Sequence, residues 1–362
     1  MPNIINWKTG FEIELIAPKG SSREQLANHI SGLHGGKVER FFHSESEPSK
    51  VEGSPIFQNL ALGFRAIDLE GNWIASFVDD LTLQADLESK TPAKEGWFRI
   101  LSDENRLIRL MLQQCDPETP PLQWLDPMAR LFGTETEVND DGMIRVYDDQ
   151  KTSVAICAPL PGERERACEI ITAPLEHGHE ERLSALLDTA KSLGFTIPKE
   201  GATHIHFDAA ALCSAHAIAN LVTVLDRFGS DLKSLIGVNK NCRRLGDWPR
   251  TLLDLVKKEE FLAAHWPEAR EMLSDTKLSK YCDFNLINIV NADTSKHSVE
   301  IRILPATLSA KTILHSTILF EAILRWCSEP DSKPNHVPNH FSIFLDFLML
   351  DEGEKSRWRP AM

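Results

Sequence analysis

The chain has 362 residues, with 39 basic against 53 acidic side chains and a formal net charge of −14. Its 42% hydrophobic and 25% charged content excludes wholesale disorder, and the acidic excess argues against a partner held by nucleic-acid phosphates. No stretch is long and apolar enough to span a bilayer, no secretory leader is expected, and the seven cysteines, an odd number without CxxC spacing, predict the cytoplasm rather than a disulfide scaffold or a cysteine zinc site.

Alternation over residues 10–16 predicts a strand with Phe11, Ile13 and Leu15 on one face and Glu12 and Glu14 on the other. Gly35-Gly36-Lys37 reads as a helix stop, and residues 44–55, polar and punctuated by Pro and Gly, as a loop. Residues 76–83 (SFVDDLTL) read as a turn between two strands; Asp79 or Asp80 there is a candidate base. A helix is expected over 102–115 with Ser102 as N-cap, then a loop over 116–122. Alternating charge over 163–166 suggests a solvated strand edge, and Glu169 precedes a β-branched stretch. His177 and His179 read as a capping loop before a helix over 180–193 that stops at Gly194.

In the run 204–208 (HIHFD), Ile205 and Phe207 oppose His204, His206 and Asp208. The basic cluster Lys240, Arg243, Arg244 and Arg250 suits a local phosphate group better than a long polyanion. Asn285 lies in a strand-like segment over 280–290. In the run 299–304 (VEIRIL), Val299, Ile301 and Ile303 oppose Glu300 and Arg302. A buried helix over 308–326 and a Pro-rich break over 328–338 precede a last helix over 339–351. The row Phe341, Ile343, Phe344, Phe347 and Leu348 in that helix is a face for packing on the domain or for dimerising. Strands separated by helices without a βαβ rhythm predict an α+β fold with a mainly antiparallel sheet, organised as a catalytic domain over 1–328 and a helical extension over 329–362.

Any one of these strands, taken alone, is most simply an amphipathic strand with a solvated face. Together they offer a different chemistry. Carboxylates at i and i+2 lie about 6.5–7 Å apart and repel each other, a cost inside a cleft that a cation removes. Carboxylate oxygens with imidazole nitrogen suit Mg²⁺ or Mn²⁺, and the lack of thiolate pairs and of HExxH argues against zinc.

The ordered set ExE in GFEIEL, a Glu in EIITAPL, HxH in GATHIHFD and ExR in VEIRILPAT, with KYCDFNLINIV before the last, resembles the amidoligase family. That family is a branch of the carboxylate–amine ligases similar to glutamine synthetase and glutamate–cysteine ligase, and the resemblance covers roughly residues 8–326. It implies an antiparallel sheet curved into a glutamine-synthetase-like funnel with helices outside, and ATP with Mg²⁺ (or Mn²⁺) as cofactors. It implies that Glu12, Glu14, Glu169, His204 and Glu300 are metal ligands, that His206 lies nearer the ATP phosphates, and that Arg302 holds the transferring phosphoryl group. Arg243, Arg244 and Asn285 are implied nucleotide or substrate contacts, and Asp80 the base that deprotonates the amine.

The implied reaction joins a small-molecule or peptide carboxylate to an amine through an acyl phosphate. A separate N-terminal domain of the glutamine synthetase type is not recognisable, so the amine is expected to be an amino acid, a peptide terminus or a polyamine rather than ammonia. The rival readings are a metal-dependent amide or phosphoester hydrolase and a non-catalytic binding module on the same fold. Neither nucleic acid nor membrane is an expected partner, and an oligomer is left open.

Overall fold

The structure, a computed structural model, describes residues 5–48, 56–102, 104–242, 245–291 and 297–359. Among these, twelve strands follow in chain order: β1 (Thr9–Ile16), β2 (Lys37–Pro48), β3 (Ile56–Ile67), β4 (Trp73–Val78), β5 (Phe98–Ser102), β6 (Glu137–Val138), β7 (Ile144–Tyr147), β8 (Ser153–Pro159), β9 (Ala167–Thr172), β10 (Ala202–Asp208), β11 (Phe284–Asn285) and β12 (Ser298–Pro305). Every named pairing is antiparallel, and helices separate the strands, so the α+β expectation holds. No helix among the described residues is long and apolar enough to cross a membrane.

The chain forms two compact units, and the division passes through β1 between Ile13 and Glu14. The first takes the chain up to Ile13, Pro174–Leu187 and everything from Glu200 onward. The second takes Glu14–Ala173 and Asp188–Lys199. The helical segment after residue 328 belongs with the first unit.

In the first unit β10 is central, with β1 on one edge and β12 on the other, and β11 pairs the far side of β12. Period-two alternation turns Phe11, Ile13, Ile205, Phe207, Val299, Ile301 and Ile303 to one face, each at most 1% exposed. The helices Ala215–Ile236 and Ala310–Ser328 cover that face. Both carry a serine N-cap: Ser214 accepts from the Ala217 amide at 3.0 Å and Ser309 from the Thr312 amide at 3.3 Å. The expected single C-terminal helix is two, Phe341–Phe347 and Glu352–Trp358, the second capped by Asp351. Phe341 and Phe344 are buried, with Phe344 stacked on Phe228 at 5.3 Å, while Ile343 and Phe347 remain exposed, so the apolar row serves packing with one half.

In the second unit β3 is the hub. β2 pairs along its whole length, while β4 and β5 pair different stretches of it; β9 extends from β4, and β8, β7 and β6 follow β5. Leu60, Leu62, Phe64, Phe77, Ile100, Ile144 and Cys157 form the core face, and the helices Arg23–Leu33, Asn105–Gln114 and Asp126–Leu131 pack against these strands. Arg23 is fully buried in this core. Its guanidinium donates to the carbonyls of Leu62, Arg164 and Ala167 and lies 4.6 Å over the Trp97 ring. Burying a charge this way is tolerable because each guanidinium nitrogen finds a carbonyl acceptor.

Three local expectations give way here. Ser102 ends β5 and donates to the Val154 carbonyl at 3.1 Å, so the helix starts later, at Asn105. Residues 44–48 continue β2 rather than forming a loop, and 49–55 lie outside the described residues. Residues 164–166 are a 3-10 turn with Glu165 and Arg166 buried, not a solvated strand edge, because Arg166 donates to the Ala17 carbonyl at 2.9 Å and pairs with Glu163.

Candidate active site

Two clusters of acids occupy the polar faces of these sheets, one in each unit. In the first unit the register sets Glu12 opposite His204, His206 opposite Glu300 and Glu300 opposite Asn285. Directly opposed residues project to the same side of a sheet, so the ladder itself assembles the group. A register shift between Thr203 and Ile205 puts a bulge at His204, a device that re-aims a side chain.

His204 Nδ1 lies 3.2 Å from Glu12 Oε2 and 3.3 Å from Glu300 Oε1. His206 Nε2 lies 3.3 Å from Glu12 Oε1 and 4.0 Å from Glu300 Oε1. Arg302 pairs with Glu300, and Asn285 Nδ2 donates to Glu300 Oε2 at 2.7 Å. Ser298 Oγ is 3.2 Å from His206 Nδ1 and orients the ring. Burial pushes the Glu12 carboxyl upward, but the His206 charge and the contacts from His204 and His206 outweigh it and hold Glu12 well below the usual range. Glu300 is likewise pushed up by burial and brought below its ordinary value by His206, Arg302 and His204, against opposition from Glu12. Glu12, His206 and Glu300 offer ligand atoms within 4.8 Å of one another.

The second unit gathers Glu14, Asp80 and Glu169, whose ligand atoms also lie within 4.8 Å of one another. Asp80 follows the end of β4, and both its oxygens are engaged by Thr82, at 2.7 Å from the amide and 2.8 Å from the hydroxyl. Asp79 is fully buried and paired with Arg164, which also donates to the Asp80 carbonyl at 2.6 Å and to the Leu83 carbonyl. Glu45, on β2, accepts from the Leu81 amide at 3.2 Å, while its second oxygen is buried without a hydrogen-bond partner among the described residues. Burial and the charges of Asp79 and Asp80 push the Glu45 carboxyl well above its ordinary value, although Arg164 pulls the other way. Opposite Glu45 on β3 stands Asn59, fully buried, with neither amide atom hydrogen-bonded among the described residues.

The structure therefore brings Glu12, His204, His206, Glu300, Arg302 and Asn285 together in the first unit, and Glu14, Asp80 and Glu169 in the second. The ExE pair divides: Glu12 joins the first group and Glu14 the second. Arg243 and Arg244 lie outside the described residues. Sequence reasoning missed Glu45 and placed Arg164 in a solvated strand edge. The alternation Phe41, His43, Glu45 was a signal for the first, masked by the Pro and Gly just downstream.

A family model described as "Putative amidoligase enzyme" matches residues 5–324. The chain belongs to this amidoligase family. The matched span contains every acid, histidine and arginine of both clusters. No curated protein and no solved structure matches the chain.

The donor sets fit hard divalent cations. Three carboxylates converging without a thiolate suit Mg²⁺ or Mn²⁺. The mixed imidazole and carboxylate set around Glu12 fits the same ions, with Mn²⁺ the better match to nitrogen.

Proposed function

We propose that this amidoligase is an ATP- and Mg²⁺-dependent carboxylate–amine ligase that forms an amide through an acyl phosphate. The observation that carries the reading is the group Glu12, His206, Glu300 and Arg302, in which ionised carboxylates, imidazoles and a guanidinium stand within contact distance on one sheet face. A free carboxylate does not acylate an amine at neutral pH, so an activating phosphoryl group has to be transferred to it. Bound Mg²⁺ supplies neutralisation of the phosphate oxygens' charge.

The chain's own residues do the rest. Glu12, His204 and Glu300 would hold one cation, and Glu14 and Glu169 another. Arg302 meets the negative charge that develops on the transferring phosphoryl group, with Asn285 and the histidines keeping Glu300 in place beside it. His206 contacts the nucleotide phosphates. Asp80 takes the amine's proton, and its Thr82 contacts hold its oxygens in a fixed direction. Arg243 and Arg244 are phosphate contacts in this reading.

The funnel of the glutamine synthetase type, an amine that is an amino acid, peptide terminus or polyamine, and the cytoplasm as compartment are parts of the same proposal. All seven cysteines are free, which supports a reducing compartment. The test is ADP release with ATP and Mg²⁺ against pooled carboxylates and amines, followed by mass spectrometry of the product. A condensed product with one ADP per bond is the expected result. Hydrolysis of an amide or phosphoester without ATP would overturn the ligase in favour of the hydrolase.

A further inference from the structure

Three arginines share the polar face of the second unit's sheet. Arg145 on β7 is opposite Ile156 on β8, which is opposite Leu101 on β5, itself opposite Asn59 on β3. Arg99, two residues before Leu101, is opposite Ala61, and Arg65 is four residues further along β3. Strands about 4.8 Å apart, rising about 3.4 Å per residue, space the three positions about 12–14 Å from one another along a diagonal of about 25 Å.

The acids opposite two of them in the register, Glu39 opposite Arg65 and Glu137 opposite Arg145, pair with Lys37 and Lys151 instead. Each arginine buries its Nε without a hydrogen-bond partner, and none makes an ion pair among the described residues. Arg65 only stacks, at 5.1 Å over Phe41 and 5.7 Å over Trp73. In a chain with 53 acids, folding alone does not account for three such groups in a row, since partly burying a guanidinium without an acceptor costs free energy. Arg99 also lines a cavity of about 240 Å³ with Leu81, Leu87, Leu160, Pro161 and Arg164. Arg164 is committed to Asp79 and to the Asp80 carbonyl, which leaves Arg99 as the cation that faces a ligand. Leu81 and Arg164 connect this cavity to Asp80.

We propose that this face binds an extended acidic peptide, with one carboxylate entering the Arg99 cavity and further acids meeting Arg145 and Arg65. Naming that peptide as the carboxylate substrate rests on the ligase reading; the binding itself does not. Acids about four residues apart in an extended chain match the arginine spacing. The half-exposed Leu101 and Ile156 between the cations suit the aliphatic stems of glutamate side chains. A single phosphoryl group would need the cations gathered at one point.

Fluorescence anisotropy of labelled octaglutamate with the full chain, in the absence of ATP and metal, tests this. Octaglutamate binds in a salt-dependent way and octaglutamine does not. Free glutamate competes only at concentrations about 100-fold higher or more. Arg99→Ala weakens octaglutamate about ten-fold or more, Arg99→Lys weakens it less, and Arg145→Ala and Arg65→Ala each give a smaller loss.

Absence of octaglutamate binding, indifference to all three alanine variants, or equal competition by free glutamate or an oligouridylate overturns the proposal. Should Arg99→Ala not fold, phenylglyoxal labelling of the unmutated chain decides: octaglutamate protects Arg99, and failure to protect it overturns the site. Peptide binding without ADP release in the ligase assay retires the ligase alone. ADP release without peptide binding retires the peptide site alone.

Discussion

The two acid clusters solve the same electrostatic problem in opposite ways. Around Glu12 and Glu300 the ladder register places an imidazole or a guanidinium directly beside each carboxylate, and both acids fall below their ordinary range. Around Glu14, Asp80 and Glu169 the acids face one another. Arg164 pairs with the neighbouring Asp79 and donates to the Asp80 carbonyl, and burial with the charges of Asp79 and Asp80 pushes Glu45 well above its ordinary value. The first cluster is charge-balanced by its own side chains and so keeps its geometry without an ion.

The largest effect expected from this contrast is on turnover. Arg302→Ala removes the fixed cation of the first cluster and is expected to lower kcat in the ADP-release assay about 10²–10³-fold with little change in fold. Arg302→Lys, which keeps the charge but not the fork, should recover part of it. A drop confined to KM would put Arg302 in substrate binding instead.

Next in size is the support for Glu300. Asn285→Ala frees one Glu300 oxygen and is expected to weaken Mn²⁺ affinity at the first cluster about 10–100-fold, while leaving the second unchanged in a calorimetric titration. Equal weakening of both would mean that the clusters are not independent.

The smallest effects, and the clearest in sign, are on stability of the metal-free protein. Glu12 is depressed in the folded state. Its contribution is therefore present above the unfolded carboxylate pKa and is lost as pH falls through the folded value. Glu12→Gln should destabilise at pH 7 by about 1–2 kcal/mol, and the difference should vanish in acid. Glu45 is raised, so its charged form weighs against folding once pH exceeds the ordinary carboxylate range. Glu45→Gln should stabilise at pH 8 by about 1 kcal/mol and be neutral near pH 4. Thermal melts at three pH values with EDTA read both, and Glu45→Gln should lose its advantage when Mg²⁺ is added.

Much of the first cluster was legible because period-two alternation needs only local sequence. GFEIEL, HIHFD and VEIRIL each separate an apolar face from a chemical one, and those faces are where the side chains stand. Asn285 was legible as a contact but not as the group that holds Glu300, because that role depends on β11 pairing β12.

The second cluster was harder to read. Glu45 sits in a strand that continues to a proline, and Pro-rich, polar composition argues for a loop unless the partner strand is known. Arg99, Arg145 and Arg65 come from strands far apart in the chain, so their shared face is a property of pairing alone. Residues 164–166 misled for a related reason: an alternating-charge run is ordinarily solvated, but here Glu165 and Arg166 are buried, and backbone carbonyls and acids accept from Arg164 and Arg166.

The central claim is that each cluster holds its own divalent cation, and a Mn²⁺ titration of the full chain followed by electron paramagnetic resonance tests it most directly. The account predicts two bound ions per chain, with Glu12→Gln and Glu169→Gln each losing one while the other is retained. A single ion, or a stoichiometry that neither substitution changes, would contradict it.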